Sequence, residues 1–174
     1  MEGTTHILQI IENESVSERE RIENIYKLGD NKHYDAIPIL IQMLNADNSI
    51  YVRNAIATSL ANLNADEAVP IIMELIKKPE NSNNHGPLIL SVGDLDFKQH
   101  FIYFINLLCT AVFEVRQMCE FIVEKYANEV SQSEKKEALS ILNKHKKQLK
   151  SDKDEISNRI AFINASEKLL KTKK

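Results

Sequence analysis

The chain predicts an all-α fold in which helical hairpins are piled on one another. Segments of it repeat at an offset of 32 residues, and apolar positions inside each copy fall at helical spacing. Only four Gly and four Pro occur among 174 residues, too few for the many tight turns of an all-β protein.

The repeat is ungapped over its first two copies. Arg21 matches Arg53, Leu28 matches Leu60, and Ala36-Ile37-Pro38-Ile39 matches Ala68-Val69-Pro70-Ile71. A divergent third copy keeps the register, with Val92, Leu95, Phe104 and Leu107 opposite Leu60, Leu63, Ile72 and Leu75. A fourth restarts at Arg116, with Val123 and Tyr126 where the second has Leu60 and Leu63.

The elements follow in chain order. A first helix over 3–13 carries Ile7, Leu8, Ile10 and Ile11 and caps the start of the stack. The run Ser17-Glu18-Arg19-Glu20 fits a capping box and opens a helix over 17–28, which stops at Gly29-Asp30-Asn31. Its partner covers 34–45 and ends in the turn-like Asn45-Ala46-Asp47-Asn48. Val52, Ile56, Leu60 and Leu63 line one face of a helix over 50–63, and Asn64 to Glu67 break it. Val69, Ile72, Leu75 and Ile76 form the stripe of the next, 66–78. A break this short between two amphipathic helices makes an antiparallel hairpin, and neither helix can hide its stripe alone.

The polar stretch from Lys77 to Gly86 is the longest loop and reads as a mobile spacer. Beyond it come helices over 86–92, 96–110 and 112–127, with Gly93-Asp94 as the first turn and Asp94 and Asp96 as expected N-caps. A second capping box, Ser131-Gln132-Ser133-Glu134, opens 132–149. The last helix, 153–171, places Ile156, Ile160 and Ile163 on one face and covers the far end of the stack.

The stretch from Arg53 to Pro70 resembles the short HEAT-like repeat of the phycobilisome-lyase type. That pattern has an Arg opening the first helix, a Leu and a small residue near its end, and Ala-Val-Pro opening the second. The match is close in the second copy and good in the first (Lys27-Leu28-Gly29-Asp30, Ala36-Ile37-Pro38). It weakens afterwards: His85 stands at the place of the opening Arg, and the fourth copy has no Ala-Val-Pro. The resemblance spans about 17–149 and implies a right-handed α-α superhelix, a HEAT-like solenoid. Its hairpins would be 17–48, 49–83, 84–111 and 112–150 in a single domain, 1–174, with capping helices at both ends.

Composition narrows the function classes. Apolar residues are 43% and charged residues 27%, with 22 Lys+Arg against 25 Asp+Glu, ordinary values for a soluble globular chain. A chain of this length buries roughly 70% of its unfolded surface and needs neither disulfide nor metal to fold. The most apolar stretch, Phe101 to Phe113, is interrupted by Asn106 and Thr110 and is too short for a bilayer. The N-terminus lacks the basic and apolar regions of a secretory signal. Cys109 and Cys119 form no CxxC pair and sit in apolar runs, where free Cys behaves as a small hydrophobe. A reducing cytoplasm is the expected compartment.

No residue carries a catalytic, cofactor or metal assignment. Deoxyhypusine hydroxylases need repeated His-Glu pairs, and none occurs around His6, His33, His85, His100 or His145. HEAT-like alkylpurine glycosylases use a basic surface with tryptophan, whereas this chain has no Trp and an acidic repeat region. Nothing is assignable to bilin attachment, and His100 has no group to orient it as a base. Arg21, Arg53 and Arg116 are expected to form a structural ladder pairing with acidic groups in neighbouring turns.

Charge is uneven: residues 1–130 carry −9 and residues 131–174 carry +6. The Lys144, Lys146, Lys147, Lys150 cluster and the terminal Lys171, Lys173 and Lys174 read as a solvated face and as partners of helix dipoles. Acidic residues interrupt the run and no aromatic platform accompanies it, which argues against nucleic acid. In the HEAT-like family the second helices line the concave side. Their outward positions here form columns: Asp35, Glu67, Gln99; Pro38, Pro70, Ile102; Ile41, Met73, Ile105; Gln42, Glu74, Asn106. Acidic edges around an apolar line suit a basic protein ligand, unless Ile41, Met73 and Ile105 simply widen the core stripe. The expected protein is therefore a monomeric, non-enzymatic protein-binding module. The resemblance to compact bacterial HEAT proteins points to an immunity protein that silences a cognate toxin. The alternatives are an accessory scaffold for an enzyme or chromophore lyase, and a nucleic-acid module using the Lys-rich C-terminus.

Overall fold

Each expected helix forms in the computed structural model, which describes residues 3–46, 49–81, 85–149 and 153–172, with the backbone alone for 153–157. Among the described residues there are ten α-helices and no strand: α1 (Thr4–Glu12), α2 (Glu18–Asp30), α3 (Ile37–Asn45), α4 (Ile50–Asn62), α5 (Val69–Lys77), α6 (Gly86–Gly93), α7 (Phe101–Thr110), α8 (Phe113–Tyr126), α9 (Gln132–Gln148) and α10 (Lys153–Lys171). Asp47 and Asn48, the middle of the polar loop (82–84), Lys150, Lys173, Lys174 and the side chain of Ile156 lie outside the described residues.

The second helices of the hairpins start later than the sequence suggests. A single 3-10 turn precedes α3, α5 and α7, at Tyr34–Ala36, Asp66–Ala68 and Lys98–His100. In α3 and α5 the cause is local. Pro38 and Pro70 occupy the first helical turn, where a missing N–H leaves nothing unsatisfied. The residues ahead of them therefore close i+3 bonds, Ala36 N–H to His33 O and Ala68 N–H to Ala65 O.

Turns repeat with the same period as the sequence. Lys32 and Asn64, 32 residues apart, are left-handed at φ 58° and 53° and end α2 and α4. His33 N–H then reaches Leu28 O, and Ala65 N–H reaches Leu60 O, each at 3.0 Å. The serine N-caps follow the sequence: Ser17 Oγ accepts from the Glu20 N–H at 3.3 Å, and the reciprocal bond that completes a capping box closes at Ser131. The expected aspartate N-caps do not form, because α6 runs on to Gly93 with Asp94 as its C-cap, and α7 starts only after a 3-10 turn, with His100 as its N-cap. The two Ser131 hydrogen bonds hold the Glu134 carboxyl below its ordinary range.

Packing divides the chain into two compact units, Met1–Asp96 and Phe97–Lys174. In unit 1, α2, α4 and α6 lie side by side, α3 packs on α4, α5 packs on α6 and touches α3, and α1 covers α2. The core follows the predicted stripe: Leu28, Val52, Ile56, Leu60, Leu63, Val69, Ile72, Ile76 and Val92 are buried, Ile25 joins them, and Leu75 alone of the predicted α5 stripe is only half-buried. Burying each such side chain contributes about 1.5–3 kcal/mol. In unit 2, α7 contacts α8, α9 and α10, and α10 also packs on α8 and α9. Phe97 meets Phe104 and Tyr126 edge to face, with ring centroids 5.3 and 4.8 Å apart. The predicted stripe of α10 reaches this core at Ile163, which is fully buried.

Cys109 and Cys119 are both buried and reduced. Burial pushes the Cys109 thiol up to about 11, with the Arg159 charge opposing it, and pushes Cys119 higher still. Both thiols are inert by this criterion.

At one place in unit 1 two helices approach backbone against backbone. A Cβ on Gly29 would stand 2.8 Å from Ser59 Cα, and Ser59 Oγ donates to Ile25 O at 2.8 Å. Gly29 is thus the residue that lets α2 and α4 approach. Gly29→Ala is expected to destabilise the protein by about 1–3 kcal/mol through overpacking, despite the better helix propensity of Ala, as read by urea unfolding.

Candidate functional site

α3 and α5 adjoin in unit 1, and their outward stripes are built alike. On α3 and the turn before it, Asp35, Pro38, Gln42 and Asn45 are exposed; on α5, Glu67, Pro70, Glu74 and Lys77 are exposed. Successive members lie three or four residues apart, so each set faces one way. Six of the predicted surface residues (Asp35, Pro38, Gln42, Glu67, Pro70, Glu74) therefore share one face of unit 1. Asp35 is anchored there, because its Oδ1 accepts from Thr4 Oγ1 at 3.1 Å while the same hydroxyl lies 2.8 Å from His33 Nδ1.

Met73 differs. It is only 1% exposed, and its column partner Ile105 is 0% exposed. Both widen the core stripe, because the position one residue before Glu74 and Asn106 rotates back toward the first helices. Ile41, the remaining member of that column, is half-buried, so the apolar central line expected on this face is reduced to the two prolines and part of Ile41. Gln99, Ile102 and Asn106 belong to unit 2, where Gln99 and Asn106 are exposed and Ile102 is half-buried. Asn106 Nδ2 donates to Ile102 O at 2.9 Å. Lys77 was not foreseen; it places a cation at the C-terminal end of α5, where it complements the helix dipole.

The periodic arginines each reach a different neighbour. Arg21 Nε donates to Ile11 O at 2.9 Å and ties α2 to α1. Arg53 donates to Asn54 Oδ1 at 3.1 Å and to Asn81 Oδ1, and Arg116 lies 5.8 Å from the centre of the Phe162 ring. Asn81 Nδ2 in turn donates to Leu75 O at 2.8 Å. The described part of the polar loop is therefore not a mobile spacer: Pro79–Asn81 forms a 3-10 turn, and Asn81 and His85 are buried. A cleft of about 490 Å³ opens beside Arg53, Asn45, Lys78 and Glu80.

His85, at the third position of this series, caps α6 with its Nδ1 3.3 Å from Ile76 O. The carbonyl fixes Nδ1 as the protonated nitrogen, and no described residue bonds to Nε2. Burial lowers the imidazole's proton affinity; the bond to Ile76 opposes that, and the Arg53 charge reinforces it.

Unit 2 has the opposite electrostatic character. A cleft of about 730 Å³ there is lined by Lys135, Lys136 and Lys171 among polar residues. Lys171 and Lys146 each lie 3.5 Å from the largely buried Glu167 carboxylate. Among the described residues no group of His, Cys, Asp and Glu is placed to hold a metal ion, and no helix is long and apolar enough to cross a membrane.

Residues 4–85 match the family model for HEAT repeats. A comparison with curated proteins gives no match. The matched segment runs from α1 to the cap of α6 and contains the Asp35–Glu74 face, so that face is presented by HEAT-like repeats. HEAT repeats imply an α-α solenoid, the class that the sequence predicts, and suggest a protein-interaction or scaffold module.

The depressed proton affinity of His85 has a consequence for stability. The unfolded chain takes up the proton near the ordinary value of 6.5, while the folded chain resists it. Stability from this group is thus fully present above pH 6.5 and is lost as the pH falls toward the folded value. His85→Gln is expected to flatten the acid side of a stability profile measured by urea unfolding from pH 7.5 to 5.

Proposed function

We propose that this HEAT-repeat chain is a non-enzymatic module that binds a basic protein through the α3–α5 face of unit 1. The observation that carries this is the pairing, at one period, of exposed carboxylates and prolines on adjacent helices: Asp35 with Glu67, Pro38 with Pro70, and Glu74 beside Gln42. Prolines in the first helical turn are rigid, so the face changes little on binding and loses little conformational entropy. Unit 1 carries seven Lys+Arg and fifteen Asp+Glu, and this field accelerates encounter with a cationic surface. Occlusion of a basic toxin surface, the role of an immunity protein, is the specific form of this function, supported by the resemblance to compact bacterial HEAT proteins.

Mixing with the products of adjacent genes tests it. A stable complex with a basic protein is expected, with an association rate that falls as salt rises. Glu67→Lys/Glu74→Lys is expected to weaken the complex at least tenfold while leaving the helical circular dichroism unchanged. A complex that the double variant forms as tightly as the native chain overturns the assignment to this face.

A further inference from the structure

Cations of unit 2 converge where its last two helices meet. α9 and α10 pack on each other in opposite directions. Lys146 donates to Asn164 and lies beside Glu167, whereas residues 132–139 of α9 and 170–172 of α10 wall one cleft. Gln132, Lys135 and Lys136, and Leu139 follow at the period of one helix face, so the cleft is built on a fixed helix and not on a loop. Asn128, in the turn after α8, closes one side. Lys135 is half-buried, whereas Lys144 and Lys147, further along α9, are exposed and outside the cleft.

Two observations set its sign. No carboxylate lines the cleft, and among the described residues neither the Lys135 nor the Lys136 ammonium has an ion pair or a hydrogen bond. The nearby acids are already partnered. Glu134 accepts from the Ser131 N–H and hydroxyl at 2.8 and 2.6 Å, Glu129 pairs with Lys98 at 3.0 Å, and Glu167 lies 3.5 Å from both Lys146 and Lys171. Two ammonium groups against the one Glu167 carboxylate leave a positive charge over, and Lys135 and Lys136 add to it. Glu137 is exposed and outside the lining. The opposed dipole ends of α9 and α10 meet here and offset each other, so the side chains decide.

Shape and donor type narrow the ligand. A volume of about 730 Å³ falls among small-molecule sites, which run from roughly 300 to 1,000 Å³. No arginine lines the cleft, so the planar two-point clamp that favours a carboxylate is missing. Ammonium groups act as point charges, and here they come from α9 on one side and α10 on the other, which suits the tetrahedral oxygens of a phosphoryl group. The Asn128 and Gln132 amides add donors, while the Thr172 hydroxyl is committed to Lys168 O at 2.8 Å.

We propose that this cleft of unit 2 binds a small phosphorylated anion carrying at least two negative charges. Lys135 and Lys136 hold one side of its phosphoryl oxygens and Lys171 the other, while Lys146 continues to neutralise Glu167. Leu139 meets the uncharged remainder of the ligand. The site shares no residue with the α3–α5 face, so the two assignments fail separately.

The test titrates the full chain, labelled with ¹⁵N, with inorganic pyrophosphate and with adenosine diphosphate in metal-free buffer. Saturable shifts of amides in 128–139 and 170–172 are expected, with affinity falling as salt rises. Binding of either probe supports the site, and the tighter one tells whether its ligand is a free or an esterified phosphate. Lys135→Gln/Lys136→Gln is expected to weaken binding at least tenfold with the helical circular dichroism unchanged. Lys136→Glu, at an exposed position, is expected to do the same. Lys144→Gln/Lys147→Gln, which removes as much charge from the same helix outside the cleft, is expected to leave the affinity unchanged. Absence of saturable binding, shifts centred elsewhere, equal weakening in the Lys144/Lys147 variant, or citrate binding as tightly as either phosphate would each overturn the proposal. So would a glutamate-rich peptide or an RNA oligonucleotide that displaces both phosphates from these amides at lower concentration.

Discussion

An amphipathic hairpin in this chain has one apolar stripe more than it can cover, and the stacking of unit 1 follows from that shortage. α4 shows it most clearly. It buries eight of its thirteen residues, from Val52 to Ala61, against three separate helices. None of those neighbours suffices alone, because an isolated helix of this length is marginal in water. Periodicity of sequence thereby becomes periodicity of structure, down to the paired left-handed residues Lys32 and Asn64 and the two proline-led second helices. Close approach is the remaining requirement, and Gly29 meets it by leaving room for the Ser59 backbone.

Once the stripes are committed to packing, only the outward positions are free to acquire function. The second helices of unit 1 present carboxylates around rigid prolines, a surface suited to long-range attraction and modest direct contact. This second-helix face, from Asp35 to Glu74, sits within the residues that match HEAT repeats. Unit 2, with its lysine-lined cleft and its aromatic core around Phe97, has a different surface chemistry.

Divergence from the repeat pattern is concentrated where one hairpin meets the next. At the position that holds Arg21 and Arg53 in earlier copies, His85 caps α6 and points its protonated nitrogen at the end of α5. A smaller, neutral ring suits a place where Asn81 has already tied the loop to Arg53 and to Leu75. The exchange replaces a permanent charge with a titratable one, so this junction responds to mild acid in a way that the Arg21 junction does not.

Helix identity, order and nearly all boundaries were legible in the residues, because each depends on short-range rules: a 3.6-residue stripe, a Ser before an acidic first turn, a Pro at a helix start. The repeat itself was legible for the same reason, since ungapped matches need no knowledge of distant contacts. What could not be read off was the rotation of each helix about its own axis. A shift of one position, about 100°, separates buried Met73 from exposed Glu74, and composition alone does not say on which side of the boundary a Met falls. The contacts of the arginines were likewise hidden: Arg21 reaches Ile11 O and Arg53 reaches Asn81, and neither contact follows from the repeat position alone. Lys171 lies far along the chain from Lys135 and Lys136, so only α10 laid against α9 reveals the three as walls of one cleft.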